Sequence, residues 1–203
     1  MASDSTPIAR RVPQQQRAAL RLESILRAAG LAIAERGYQA ATMTEIAALA
    51  GTSIGALYQY FPNKEALAHT LRTQYADEMD ARWSRLAAEA GHAPLAELVA
   101  SLFDLMLDFL RTHPGAMELI NAPIDFQRDQ PLRDRLLQRF AQLFVRRLPT
   151  LAPQQAYLIA SVTLQIVRSL NPLYRLAGDD GARARLVAEF QAAVTAYLRA
   201  RLE

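Results

Sequence analysis

Apolar residues recur at spacings of three and four along most of the 203-residue chain, with polar residues between them. This spacing is typical of amphipathic α-helices, and the strict alternation that marks β-strands is not evident. Glycine and proline breakers divide the chain beyond residue 90 into helix-sized pieces, and they stand at 91–94, 113–115, 121–123, 130–131, 149–153, 171–172 and 178–181. The pattern therefore predicts an all-α protein.

The N-terminal region begins with a predicted helix over about 15–36, which has an apolar face and a stop at Gly37. A second helix of about two turns is predicted from local signals at both of its ends. Thr42 and Glu45 have the spacing of a capping box, in which the hydroxyl caps a free N–H and the carboxylate reaches back. Gly51 can supply the left-handed residue that ends the helix.

A third helix is predicted directly after that turn. Ser53 can cap its first turn, Leu57 and Phe61 recur at helical spacing, and Pro62 restrains the residue before it and ends the helix. Two short helices joined by a glycine-containing turn fit the helix-turn-helix motif that reads DNA. The same pair could also be plain packing, with its tyrosines half buried.

The run LYQYFPNKEAL at 57–67 is the most specific sequence in this region. It resembles the helix-turn-helix of the TetR family of bacterial repressors, and the resemblance extends over about 17–70. It implies a three-helix DNA-binding domain over 15–67, after a basic arm at 1–14 that we expect to be disordered. The remainder, 68–203, would be a helical ligand-binding and dimerisation domain.

Position by position, the resemblance implies DNA contacts from the two short helices and the start of the next helix. The implied phosphate contacts are Thr44, Ser53, Tyr58, Tyr60 and Lys64. The implied base contacts are Ile54, Gly55, Ala56 and Gln59. Thr42, the predicted cap of the second helix, is also expected to belong to the DNA-binding residues. Many family members carry polar residues where Ile54 and Ala56 stand here. We therefore expect little hydrogen-bonded base readout and a larger share for thymine methyl contacts and DNA shape.

Asn63 can cap a fourth helix, which is predicted to continue to about residue 90, before Gly91. At more than twenty residues this helix would span roughly 35 to 40 Å. That length makes it a plausible mechanical link between the DNA-binding end and the rest of the protein.

The resemblance also implies a ligand cavity in the C-terminal part, although the sequence does not separate cavity lining from core. The lining candidates are Trp83, Phe103, Met106, Leu110, Met117, Phe126, Phe144 and Arg168. Arg168 is the sharpest of them, because an arginine inside an apolar helix needs a partner. That partner could equally be a salt bridge at the surface or at a subunit interface.

Two carboxylates, Asp104 and Asp108, stand four residues apart on a predicted helix over 95–111. This spacing could place them in a pocket or on a cation. They also belong to one polar stripe, and Asp108 can pair with Arg111. We therefore expect a solvated helix face here.

The last two helices, predicted over about 154–170 and 181–202, are where this family usually builds its dimer. The second of them carries an apolar stripe consistent with a four-helix contact between two subunits. The residues of this stripe are Leu186, Phe190, Ala193, Val194 and Tyr197. Packing within one chain remains the alternative.

Composition narrows the possible functions. The sequence has no cysteine, which excludes disulfides and thiolate metal sites, and we expect neither a secretory signal nor a transmembrane segment. A cytoplasmic protein is the simplest expectation. Net charge is +3 with a pI near 9.5, which permits nucleic acid binding without arguing for it alone. Five arginines against two acidic residues precede residue 31.

Together these observations predict a homodimeric, ligand-responsive repressor, without cofactor, metal or catalytic residues. It would bind a near-palindromic operator on double-stranded DNA and release it on binding a small, mostly apolar effector. A helical enzyme or carrier has little support, because His69, His92 and His113 lack metal-ligand spacing and phosphate-binding glycine loops are missing. A DNA-binding regulator without a small-molecule effector stays open, and a cavity too small for any ligand would favour it.

Overall fold

The computed structural model describes residues 14–90, 93–122 and 126–203, and the side chains of all of these except 14, 90, 126–129 and 132. Within these ranges the chain folds into nine α-helices and no strand, which confirms the all-α prediction. The predicted basic arm, with Arg10 and Arg11, lies outside the described residues. The helices are α1 (Gln14–Ala40), α2 (Met43–Leu49), α3 (Ile54–Tyr60), α4 (Lys64–Ala90), α5 (Leu95–Thr112), α6 (Ala116–Asn121), α7 (Phe126–Arg147), α8 (Pro153–Leu176) and α9 (Asp180–Leu202).

The first helix is interrupted where the stop is predicted, because Gly37 has the non-helical angles φ 77° and ψ 159° inside α1. The following turn of helix brings the chain to α2. There the Thr42 hydroxyl accepts a hydrogen bond from the Glu45 N–H at 3.2 Å, as the capping box predicts. The other half of the predicted box is not among the described hydrogen bonds: instead of reaching back to the Thr42 N–H, the Glu45 carboxylate accepts a hydrogen bond from Arg36 Nε at 2.7 Å, which ties the start of α2 to α1.

Gly51 ends α2 in the left-handed conformation, with φ 65°. Its N–H donates to Ala48 O at 3.1 Å, and the Thr52 N–H donates to Ala47 O at 3.0 Å. These two bonds are the pair that closes a Schellman motif, which reverses the chain within a few residues. The predicted glycine turn of the helix-turn-helix is therefore present.

The helices on either side of Pro62 begin and end as predicted. Ser53 Oγ accepts from Ala56 N at 3.1 Å at the start of α3, and Asn63 Oδ1 accepts from Ala66 N at 2.8 Å at the start of α4. Phe61 is extended, with φ −136° and ψ 112°, as expected for a residue that precedes proline. The direction in which α4 leaves α3 is thus fixed by short-range signals.

One hydrophobic cluster holds α1 to α4 together. Leu57 of α3 is wholly buried in it, and burying such a side chain contributes about 1.5–3 kcal/mol. Since Leu57 is the only fully buried residue in α3, the other side chains of this short helix are left at or near the surface. The cluster includes Ile25, Ala29, Ile33, Ile46, Leu57, Leu67 and Leu71.

The fourth helix connects this cluster to a second one. Its 27 residues correspond to about 40 Å of helix at the usual rise. Leu67 and Leu71 belong to the first cluster, Met79 and Trp83 belong to the second, and Tyr75 packs against both. The domain boundary after residue 67 stays a prediction, because α4 runs through it without a break.

Two of the predicted breaks are wrong. Pro131 lies inside α7 and Pro172 lies inside α8, although an interior proline loses one hydrogen bond and costs about 3 kcal/mol. Tertiary contacts beyond each proline offset this cost. Past Pro172, Tyr174 packs against the core and Arg175 pairs with Glu118 of α6, so α8 continues six residues beyond the predicted end at 170.

The second cluster forms the core of the C-terminal part, where α7 packs against α4 and α8, and α9 packs against α5 and α8. Three of its largest wholly buried side chains are Phe103, Phe140 and Phe144. Among the described residues, every helix is too short or too polar to span a bilayer.

Candidate DNA-binding surface and ligand cavity

The outward face of α3 combines small, apolar and polar groups. Around the buried Leu57, the side chains of Ile54 and Tyr58 are 39% and 50% exposed, and Gly55 and Gln59 are exposed as well. A β-carbon added at Gly55 would meet no atom of the described residues within 4 Å, so the backbone is open to solvent there. A DNA groove could therefore approach this part of α3 closely.

The structure brings the predicted DNA-contacting residues together around the turn, on α2, α3 and the start of α4. The exposed ones are Thr42, Thr44, Ser53, Ile54, Gly55, Tyr58 and Gln59, and the half-buried ones are Ala56, Tyr60 and Lys64. The capping hydroxyls of Thr42 and Ser53 act as acceptors, which leaves each O–H free to donate to a phosphate oxygen. Contact with DNA by these residues stays a prediction.

Lys64 has a role that the sequence pattern does not show. Its Nζ donates to the backbone oxygens of Tyr38 at 2.8 Å, Gln39 at 2.9 Å and Ala41 at 2.9 Å, and it lies 4.8 Å from the centre of the Tyr38 ring. All three N–H donors of the ammonium are thereby engaged. A direct hydrogen bond to a phosphate would require one of them to be released, so Lys64 primarily fastens α4 to the end of α1.

We expect Lys64→Met to lower the free energy of unfolding by about 2 kcal/mol, because hydrogen bonds from a charged donor contribute about 1.5–3 kcal/mol. Urea denaturation measures this loss. Tyr58→Phe is the matched control, since it removes an exposed hydroxyl that is predicted to meet phosphate and should leave the unfolding curve unchanged. Equal stability of the Lys64→Met variant and the wild type would mean that these carbonyl bonds do not hold the two helices together.

A cavity of about 250 Å³ lies in the C-terminal part, between α4, α5, α6, α7 and α8. Its size is close to the lower end of the range for small-molecule sites, roughly 300–1,000 Å³. Of the lining candidates from the sequence, Trp83, Met106, Leu110, Met117 and Arg168 do line it. The other described lining residues are Arg72, Tyr75, Ala76, Met79, Phe109, Ala116, Leu119, Ile120, Ala122, Gln130, Arg133, Leu136, Leu137, Ser161, Leu164 and Gln165.

The other three lining candidates from the sequence are not among the described cavity residues. Phe103 and Phe144 are buried in the second cluster and do not line this cavity, because each packs deeper against neighbouring helices. The Phe126 side chain lies outside the described residues. Tyr75 and Met79 are cavity residues that sequence reasoning missed, although they share one face of α4 with Trp83 at spacings of four.

Tyr75 links the cavity to the DNA-binding helices. Burial, followed by the nearby Glu78 carboxylate, raises the pKa of Tyr75 to about 12, so its hydroxyl stays protonated at any physiological pH. A β-carbon added to Gly30 of α1 would lie 2.8 Å from the Tyr75 hydroxyl oxygen. One side chain therefore touches the cavity and the first helix at the same time.

The paired carboxylates of α5 lie on a solvated face, as the polar stripe predicts. Asp108 accepts hydrogen bonds from Arg111 at 2.7 Å and from Arg82 at 2.8 Å, and these two guanidinium groups hold the pKa of Asp108 below its usual value. Asp104 is exposed, and neither carboxylate lines the cavity.

The predicted stripe on α9 is divided between two environments. Val194 is wholly buried within the chain, so internal packing accounts for that residue. Leu186, Phe190 and Tyr197 are half-buried, and Ala193 is exposed. The neighbouring α8 exposes three large leucines, Leu158, Leu173 and Leu176, with 61%, 45% and 81% of their surface accessible.

Two protein-family models match the chain. Residues 25–71 match the model described as bacterial regulatory proteins, tetR family. Residues 94–198 match the model described as tetracyclin repressor-like, C-terminal domain. The second match alone covers more than half of the chain, and the first covers α2, α3 and the exposed face described above.

Solved structures and a curated protein are similar to the chain as well. A TetR-family transcriptional regulator from Streptomyces coelicolor is 26% identical with a TM-score of 0.66, over 90% of this chain and 99% of that one. The TetR family transcriptional regulator PfmR from Thermus thermophilus is 18% identical with a TM-score of 0.63, over 82% of this chain and 94% of that one.

The nucleoid occlusion factor SlmA from Pasteurella multocida is 28% identical over 109 residues, 54% of each protein. The chain thus spans about half the length of this curated relative.

Proposed function

Because the chain belongs to the tetR family of bacterial regulatory proteins, whose members are DNA-binding transcriptional regulators and not enzymes, we propose a more specific activity for it. It acts in the cytoplasm as a homodimeric repressor that binds a near-palindromic operator. A small, mostly apolar effector releases it. The observation that carries this proposal is the cavity against α4, the same helix that fastens α1 through Lys64.

The cavity favours a ligand-responsive regulator over one without an effector. A chain controlled only by a protein partner has no need for an internal space of about 250 Å³ beside its DNA-binding helices. Apolar side chains dominate the described lining, with three methionines and three aromatic residues among them, and such surfaces adapt to apolar ligands of varied shape. These features support a small, mostly apolar effector.

The route from cavity to DNA passes through α4 and α6. Met117 and Leu119 of α6 line the cavity, and Arg72 of α4 donates from Nε to the Leu119 oxygen at 3.0 Å. At the other end of α6, Gly115 lies against Gly30 and Ala34 of α1. A ligand that shifts α6 or α4 would thereby move α1, to the extent that it binds one arrangement better than the other.

The exposed leucines of α8 support dimerisation through the last two helices. Leu158, Leu173 and Leu176 lie on the helix that packs along α9, where Phe190 and Tyr197 are only half-buried. Two copies related by a two-fold axis would bury these side chains in a four-helix contact. The two α3 helices would then lie on one side of the dimer, as a palindrome requires.

Leu173→Glu is expected to shift the protein from dimer to monomer and to weaken operator binding at least tenfold, because a carboxylate cannot be buried in an apolar contact without a partner. Light scattering after size-exclusion chromatography measures the mass. Leu31→Glu on α1 is the matched control for the mass measurement, since Leu31 is exposed to a similar extent, 48% against 45%, but lies away from α8 and α9. If Leu173→Glu formed a dimer as stable as the wild-type dimer, the proposed interface would be wrong.

Selection of bound sequences from a random duplex library tests the proposed DNA activity. We expect one inverted repeat to be enriched, because two identical α3 helices related by two-fold symmetry read two identical half-sites. Salt-sensitive binding without any enriched sequence would contradict an operator-based function, since phosphate contacts alone carry no sequence information.

A further inference from the structure

Arg168 brings a positive charge to the cavity, and no carboxylate of the described residues pairs with it. It lies on α8 between the buried residues Val167 and Leu170, and its side chain lines the cavity. Its only described hydrogen bond runs from one terminal nitrogen to Asn121 Oδ1 at 2.9 Å. Its Nε is buried and has no hydrogen-bond partner within the described part of the chain.

The surroundings of Arg168 increase this imbalance. Arg133 also lines the cavity, and none of the described lining residues is aspartate or glutamate. Burial, followed by repulsion from Arg133, lowers the pKa of Arg168. An anion placed beside Arg168 would therefore lower the electrostatic free energy of this site, because it would offset both the burial of the positive charge and the repulsion from Arg133.

Trp83 supplies a second unused donor. Its side chain lines the same cavity, with 5% of its surface accessible. Among the residues that the structure describes, none accepts a hydrogen bond from its Nε1. An indole N–H only donates, so it selects for an acceptor. The described lining also includes the apolar residues Met79, Met106 and Leu110.

We propose that the effector is a compact amphipathic carboxylate, whose carboxylate accepts hydrogen bonds from Arg168 and from Trp83 Nε1 and whose hydrocarbon part packs among the methionines. This inference rests on the proposed function in one respect, namely that the cavity holds the effector. A guanidinium matches a carboxylate through two parallel hydrogen bonds, and such charge-assisted bonds are stronger than neutral ones.

The same geometry disfavours neutral and cationic ligands of equal shape. A neutral amide would leave the charge of Arg168 uncompensated, and an ammonium group would add a further positive charge to a site lined by arginines. The discrimination by charge should therefore be large, while the discrimination among hydrocarbon shapes should be modest, because methionine side chains repack readily.

Trp83 makes a direct binding assay possible, because it is the only tryptophan of the chain. Full-length protein is titrated with octanoate, octanamide and octylammonium, and with 4-phenylbutyrate and its amide, while tryptophan fluorescence is recorded. We expect saturable binding of both carboxylates, at least tenfold tighter than their amides, and no binding of octylammonium. Amides that bind as tightly as the acids, or two carboxylates that fail to bind at millimolar concentration, would overturn the proposal.

Variants assign the charge discrimination to one residue. Arg168→Gln should remove the preference for octanoate over octanamide, and Arg168→Lys should retain part of it. Arg146→Gln is the matched control, because Arg146 is exposed near the end of α7 and does not line the cavity. Circular dichroism confirms folding of each variant, and an unchanged preference in folded Arg168→Gln would contradict the assignment.

The outcome for DNA is measured separately. If octanoate binds and also releases the enriched operator, both the effector class and the ligand-responsive function are supported. If it binds in the cavity without releasing DNA, the effector class is retained and the proposed switching fails. If neither carboxylate binds while operator binding is intact, the effector class fails and the DNA-binding function stands.

Discussion

Replacing Gly55 with glutamate is expected to abolish specific DNA binding while the protein stays folded. Gly55 lies in the first turn of α3, where an added β-carbon meets no atom within 4 Å. The substitution should even favour the helix, since glycine costs about 0.5–1 kcal/mol in a helix and a carboxylate is favourable near a helix start. On the DNA, however, it would place a negative charge against phosphates and base edges.

The expected loss of operator affinity is at least a hundredfold, because like charges brought together in an interface cost several kcal/mol. Fluorescence anisotropy with the enriched duplex measures it. Gly178→Glu is the control with the same change of charge, as Gly178 lies between α8 and α9 and is equally free of neighbours. If Gly55→Glu bound the operator as tightly as Gly178→Glu, α3 would not be the reading helix.

Gly115→Ala is expected to lower the free energy of unfolding by about 3 kcal/mol. Gly115 has φ 85°, a left-handed conformation that costs other residues about 1–2 kcal/mol. In addition, its β-carbon would overlap with the Gly30 oxygen and lie 3.1 Å from Ala34 N. Overpacking of this kind typically costs a further 1–3 kcal/mol.

Urea denaturation measures this effect, with Gly178→Ala as the control that should change stability by less than about 0.5 kcal/mol. The destabilised contact joins the cavity helix α6 to α1, so a weakened ligand response should accompany the loss. If Gly115→Ala and the wild type had the same urea midpoint of unfolding, α6 would not pack this closely against the DNA-binding part.

The helix-turn-helix could be predicted in detail because short-range signals determine it. Capping by Thr42, Ser53 and Asn63 and the left-handed Gly51 each act within a few residues, so their effect is visible in the sequence. The predictions that were wrong depend on distant contacts. Pro172 looks like a helix breaker until the pairing of Arg175 with Glu118 is known.

Candidate cavity residues could be predicted only in part, for a related reason. Met106 and Leu110 line the cavity and Phe103 does not, yet all three are apolar residues of the same helix. Their difference arises from which neighbouring helices pack on each turn of α5. Likewise, Lys64 carries a charge suited to phosphate, and only the arrangement of the Tyr38, Gln39 and Ala41 oxygens around it shows its structural role.

Hydroxyl-radical footprinting of the enriched duplex tests the central claim, a two-fold symmetric DNA reader, most directly. We predict two equivalent protected half-sites, with centres one helical turn of about 10 base pairs apart or a multiple of it. Both should be lost together in Gly55→Glu and retained in Gly178→Glu. A single protected half-site, or uniform protection along the duplex, would contradict a dimer that presents two α3 helices to a palindrome.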